Sequence, residues 1–268
     1  KKLDTNTLDK KVEKLWVQIV TIHSQNYPEN LKQIANPPYF LYVRWKLSGN
    51  DNFFAVVWSR KISPYAKKVG EILIPELTNY FTIVSGWAWG CDTLAHKLSV
   101  ENNAKTVVVF GTWIDITYPA PNIHLFEKVI ETGWALVSIF PIGTPGWIYT
   151  FPVRNEIVSG MSRWILVLEA GERSGTLITA NLALDQGKDL FAIPGDILNP
   201  NHAGTNNLIK NSEAKLVSCV DDILGEYNYK NISQNINQKI QPTLYNFATW
   251  FKPTTQNDLK ITPSLRFP

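Results

Sequence analysis

Three short stretches hold side chains suited to gripping an anion. Phe151-Pro152-Val153-Arg154-Asn155 places a guanidinium three residues from an aromatic ring. That spacing would let Arg154 and Asn155 hold a phosphate while Phe151 stacks on a base. A surface arginine beside a core phenylalanine is the plainer alternative. Glu169-Ala170-Gly171-Glu172-Arg173-Ser174-Gly175-Thr176 lies between an apolar run and LITANLALDQG. A loop of that kind offers backbone N–H groups and a helix dipole to an anion. Ser174 and Thr176 serve equally as ordinary N-caps. Ser59-Arg60, after Phe53 to Val57, has the same two readings, and Ser85-Gly86 closes another apolar run.

Other polar residues fit enzyme chemistry less well. Asp92 and His96 stand i, i+4, the spacing of an acid/base pair, two metal ligands or a helix-surface hydrogen bond. Without a third ligand nearby the surface hydrogen bond is favoured, and His202 is similarly unpartnered. No Gly-x-x-x-x-Gly-Lys-Ser/Thr occurs, and no Gly-x-Gly-x-x-Gly follows the first strand. No nucleophile elbow is present either. Neither cofactor nor metal is expected, and no motif supports ATP or NAD.

The elements that must position these residues alternate. Apolar strands are expected at Phe53–Val57, Tyr80–Val84, Thr106–Phe110, Ala135–Phe140, Ile165–Leu168 and Asp189–Ile193. Helical patterns cover Pro64–Thr78, Asp92–Glu101, Phe126–Thr132 and the stretch after Phe151. Short continuous apolar strands between helices of about ten residues imply a mostly parallel sheet covered on both faces. The fold class is α/β, a Rossmann-like doubly wound sheet, with ligands expected at the carboxyl ends of its strands. Residues 1–36, with the apolar stretch Leu15 to Ile22, read as a short helical lead-in. Residues 37–226 form the main domain, 227–241 an Asn/Gln-rich linker, and 242–268 a segment too short to close a core.

Composition narrows the class. With 44% hydrophobic and 18% charged residues the chain is globular, and its net charge of +3 makes no nucleic-acid argument by itself. Cys91 and Cys219 fit neither a disulfide framework nor a zinc site. No apolar run is long enough for a membrane span, so a cytoplasmic location is expected. A start at Lys1, with Met161 the sole methionine, suggests a fragment of a longer product.

Taken in order, YPENL, PPYFLYVR, VVWSRKIS, IVSGWAWGCDTLAH, VVVFGTWIDITYP, FPVRNEIVSGMS, VLEAGERSGTLITA, FAIPG and GTNNLIK resemble the DNA-processing protein A (DprA, or Smf) family. The match runs from about Tyr27 to Tyr227. The resemblance implies a non-enzymatic, dimeric single-stranded DNA binder that helps load RecA during natural transformation. It implies that Ser59, Arg60, Phe151, Arg154 and Asn155 line the DNA groove, with Gly86, Ser174, Gly175 and Thr176 as its floor. Residues 242–268 then resemble the start of a winged helix. The lysine-decarboxylase-like nucleotide hydrolases are the competing enzyme class, with Glu169 as their acid. Their Pro-Gly-Gly-x-Gly-Thr-x-x-Glu loop is absent here. A small-nucleotide signalling module is the third reading.

Ten Trp beside 15 Gly is unusual for this length. Trp58 and Trp113 stand where the family has Gly, and Trp45 and Trp164 fall at positions where Gly is common. Reading UGA as Gly in the native host would produce that pattern. A true indole at Trp58 is expected to fill the phosphate position.

Overall fold

The structure is a computed structural model that describes residues 12–59, 62–87, 91–116, 128–129, 131 and 134–227. The chain divides into two units, Lys1–Ile223 and Leu224–Pro268. All strands discussed here belong to the first; of the second, only 224–227 are described. The proposed linker and winged-helix-like segment therefore lie outside the described residues.

Strand β3 (Phe53–Trp58), β4 (Thr82–Ser85), β5 (Thr106–Phe110), β6 (Leu136–Ser138), β7 (Trp164–Glu169) and β8 (Asp189–Ala192) occupy the places their apolar runs predict. β3, β4, β5 and β7 are buried along their whole length, as central parallel strands with both faces covered must be. Helix α2 (Pro64–Leu77) follows β3. Ser63 caps it by accepting from the Ala66 N–H at 3.1 Å, with Pro64 in the first turn where no N–H is needed. Its buried stripe is Ala66, Gly70, Leu73, Ile74 and Leu77. Helices α3 (Cys91–Glu101), α4 (Thr150–Met161) and α5 (Gly175–Asp185) follow β4, β6 and β7. The helix expected over Phe126–Thr132 falls mostly outside the described residues.

The lead-in departs from its helical reading. Among its described residues, 12–14 and α1 (Glu29–Lys32) are helical, but its apolar stretch forms strand β1 (Val17–Thr21), paired antiparallel with β2 (Phe40–Arg44). The β-branched Val17, Ile19, Val20 and Thr21 favour extended backbone, and pairing with β2 satisfies it. Beyond β8 follow helix α6 (Ala203–Lys210), the two-residue β9 (Lys215–Leu216) and α7 (Val220–Leu224).

Among the described residues the sheet order is β1-β2-β6-β5-β4-β3-β7-β8-β9, parallel from β6 to β9. From β3 the chain winds outward through β4, β5 and β6. It then returns to place β7 on the other side of β3. Loops that leave β3 and β7 diverge toward opposite faces, which opens a crevice at the carboxyl edge between them.

Among the described residues four non-glycine residues have positive φ, and two of them are tryptophans, Trp16 (54°) and Trp45 (71°). Bulky side chains adopt that left-handed region at a cost of about 1–2 kcal/mol. Trp58, Trp113 and Trp134 add a second anomaly, because each buries an indole N–H with no acceptor.

Candidate nucleic-acid interface

An open cleft of about 860 Å³ lies at that divergence. Ser59 enters from the end of β3 and Gly86 from the end of β4. Phe151, Arg154 and Asn155 come from the first turns of α4, and Ser174, Gly175 and Thr176 from the start of α5. Eight residues singled out in the sequence thus share one cavity. The ninth, Arg60, lies outside the described residues.

Each is held by identifiable contacts. Arg154 is only 5% exposed. Its Nη1 donates to the Val109 carbonyl and its Nε to Asn155 Oδ1, both at 3.0 Å. The arginine therefore ties α4 to strand β5 while it lines the cleft, which excludes the plain surface role. Phe151 lies against Gly111 at the end of β5. A Cβ at residue 111 would come within 2.9 Å of Phe151 Cδ1, so the close approach of the ring requires glycine there. Ser174 takes the capping role: its Oγ accepts from the Thr176 N–H at 3.2 Å and donates to Thr176 Oγ1 at 3.0 Å. The capped end of α5 still faces the cleft, so capping and a cleft position coexist.

Gly86 is fixed from behind. His96 is fully buried, not on the helix surface. Its Nε2 donates to the Gly86 carbonyl at 2.8 Å, and its Nδ1 lies 2.7 Å from Thr106 Oγ1. The i, i+4 spacing suggested a surface pair because periodicity alone does not show which face of α3 meets the sheet. The Asp92 side chain lies outside the described residues. His202 packs against Glu169: its Nε2 is 3.2 Å from Glu169 Oε1 without a hydrogen bond, and both residues are buried.

Trp58 lines the cleft at the end of β3, and its indole extends from there toward α2. It is 6% exposed, and its Cη2 lies 3.4 Å from the position a Cβ would take at Gly70 on α2. Strand alternation explains this, since Val57 faces the α4 and α5 side and Trp58 the opposite one.

Arg173 is the main cleft residue that the sequence reading passed over. It is exposed, lines the cavity and precedes the capping serine. Its place in the Gly/Ser-rich loop was a usable signal. Asn201, just before His202, also reaches the cavity from the far loop. Among the described lining residues the charged ones are Arg154 and Arg173, with no Asp, Glu or His.

Comparison with known proteins gives the family and the fold. The family model described as DNA recombination-mediator protein A matches residues 18–228. The chain belongs to that family. It is 39% identical over 208 residues to protein Smf of Escherichia coli, covering 77% of this chain and 55% of that protein. It is 38% identical to DNA processing protein DprA of Streptococcus pneumoniae, covering 76% and 72% of the two chains. The chain thus spans little more than half of the Escherichia coli relative. The solved structure of the Streptococcus pneumoniae protein superposes with a TM-score of 0.77 at 36% identity, over 84% of this chain and 78% of that one. DNA processing protein A of Helicobacter pylori shares the fold, with a TM-score of 0.69 at 24% identity over 80% and 97% of the chains. No described helix of the chain is long and apolar enough to cross a membrane.

Proposed function

We propose that this chain binds single-stranded DNA along the cleft, without making or breaking a covalent bond, and passes it to a RecA-type recombinase. The observation that carries the reading is the convergence in one open cleft of Arg154, Arg173, the N-terminus of α5 and the Phe151 ring. Two guanidiniums and a helix terminus suit a phosphate backbone, and a partly exposed ring suits an unpaired base. Glu169, the acid of the competing nucleotide-hydrolase reading, is buried beside His202 and does not line the cleft. The Helicobacter pylori relative is described by its single-stranded DNA binding mode, and this chain shares its fold. Action as a homodimer in the cytoplasm, on DNA taken up by the cell, belongs to the same reading. So does the DNA-contacting role of Ser59, Arg60, Gly86, Asn155, Ser174, Gly175 and Thr176.

The test is binding of single- and double-stranded oligonucleotides across a salt series. Arg173→Ala is expected to weaken oligo-dT binding and reduce the salt slope by about one counterion. Equal affinity for the duplex, or an unchanged slope, would refute the reading. Competition by a nucleoside monophosphate at equal concentration would favour a small-nucleotide site instead.

A further inference from the structure

The structure assigns to Glu169 the task of positioning the cleft wall: its buried carboxylate, braced by His202, ties Ser59 at the end of β3 to Ser63 at the start of α2. The link to DNA rests on the binding reading above; the link between the two serines does not.

A carboxylate at the end of a strand of aliphatic residues is costly to bury, and a fully buried one needs partners that hold it. Glu169 has them on two sides. Oε2 accepts from the Ser63 backbone N–H at 3.2 Å and from the Ser59 hydroxyl at 3.5 Å. The backbone carbonyl of Glu169 accepts from the Ser59 N–H at 3.0 Å. One residue therefore grips Ser59 and the residue that caps α2. The negative charge also sits at the N-terminus of that helix, where the dipole favours it.

The other carboxylate oxygen meets His202. Oε1 and Nε2 are 3.2 Å apart without hydrogen-bond alignment, so the contact is one of proximity. His202 ends a short 3₁₀ turn, Pro200–His202, and Asn201 beside it lines the cleft. The imidazole is held between the Tyr65 ring, 5.1 Å away, and Gly195, where any Cβ would collide with it. Tyr65 in turn donates to the Pro194 carbonyl at 2.6 Å. Two loops at the carboxyl edge, one carrying Ser59 and one carrying Asn201, are thereby joined beneath the cleft. Glu169 touches no ligand position itself, so its role is positioning.

The test uses the full chain and two readouts. Glu169→Ala is expected to speed amide hydrogen exchange at Ser63 by roughly tenfold and to weaken oligo-dT binding by roughly fivefold or more. Glu169→Gln keeps an acceptor for the Ser63 N–H and is expected to restore both to within about threefold of wild type. A folded Glu169→Ala variant with unchanged Ser63 exchange overturns the assignment. If that variant does not fold, His202→Gln decides: faster Ser63 exchange supports the clamp, and unchanged exchange overturns it. If the wild type does not bind oligo-dT, the DNA reading fails while the exchange result still judges the clamp.

Discussion

Arg154 offers a sharp separation between a ligand-only arginine and one built into the fold. Replacement by Ala removes a charged hydrogen bond to the buried Val109 carbonyl, made at 3.0 Å, and the bond to Asn155 Oδ1. A hydrogen bond from a charged donor contributes about 1.5–3 kcal/mol net, and loss of a partner leaves a buried acceptor to be desolvated at similar cost. At 5% exposure the arginine stem is also packed, so its removal adds to the loss. The expected destabilisation is about 2–4 kcal/mol, a large share of the roughly 5–15 kcal/mol typical of a domain. Urea unfolding of wild type and Arg154→Ala should show the midpoint falling with an unchanged slope. Arg154→Lys should recover little, because an ammonium lacks the planar fork that serves two acceptors at once. Arg173→Ala, at an exposed cleft position, should lower DNA affinity with stability intact. If Arg154→Ala abolishes DNA binding while its urea midpoint stays at the wild-type value, Arg154 does not hold α4 to β5.

Two further outcomes are expected. Asp222 accepts from the Ser218 N–H at 2.7 Å, the Ser218 hydroxyl at 2.8 Å and the Cys219 N–H at 3.1 Å. Burial alone would raise its pKa, but these hydrogen bonds outweigh it and hold the carboxyl below the usual range. With the folded pKa depressed, the stabilisation is present above the unfolded value near 3.9 and disappears as pH falls through the folded one. Asp222→Ala should therefore cost about 1 kcal/mol at pH 7, with the gap to wild type closing in acid, as urea melts at both pH values would show. The tryptophans give the other test. If UGA is read as Gly in the native host, the intact mass of the host's own protein will be lower by one indolylmethyl group per recoded position. A mass that matches ten Trp ends that reading, and the left-handed Trp16 and Trp45 would then be strained residues of the real protein.

Much of the scaffold was legible because buried parallel strands leave an unmistakable trace. Runs such as Ile165 to Leu168 cannot sit on a surface, and each stops at a small or polar residue where the chain leaves the sheet. The same signal failed for β1, a short edge strand whose buried residues, Val17 and Val20, stand three apart as they would on a helix face. It gave no hint of α6, β9 or α7, whose few apolar residues are too sparse to set a period. At Ser174 capping and cleft lining proved compatible, because a side chain that caps a helix must stand at its exposed mouth.

Local sequence determined the alternation of strand and helix, the cap at Ser174 and the small residues at the strand ends. Those properties depend on neighbours within a few positions, where backbone propensity and burial act directly. Tertiary structure decided which loops meet. Placing β7 beside β3 sets Ser59 next to the Ser174 loop, although more than a hundred residues separate them. It turned Trp58 beneath α2, committed Arg154 to strand β5, and buried Glu169 against His202. Strand order and facing are long-range packing outcomes, and apolar periodicity records that a residue is buried without recording what it is buried against.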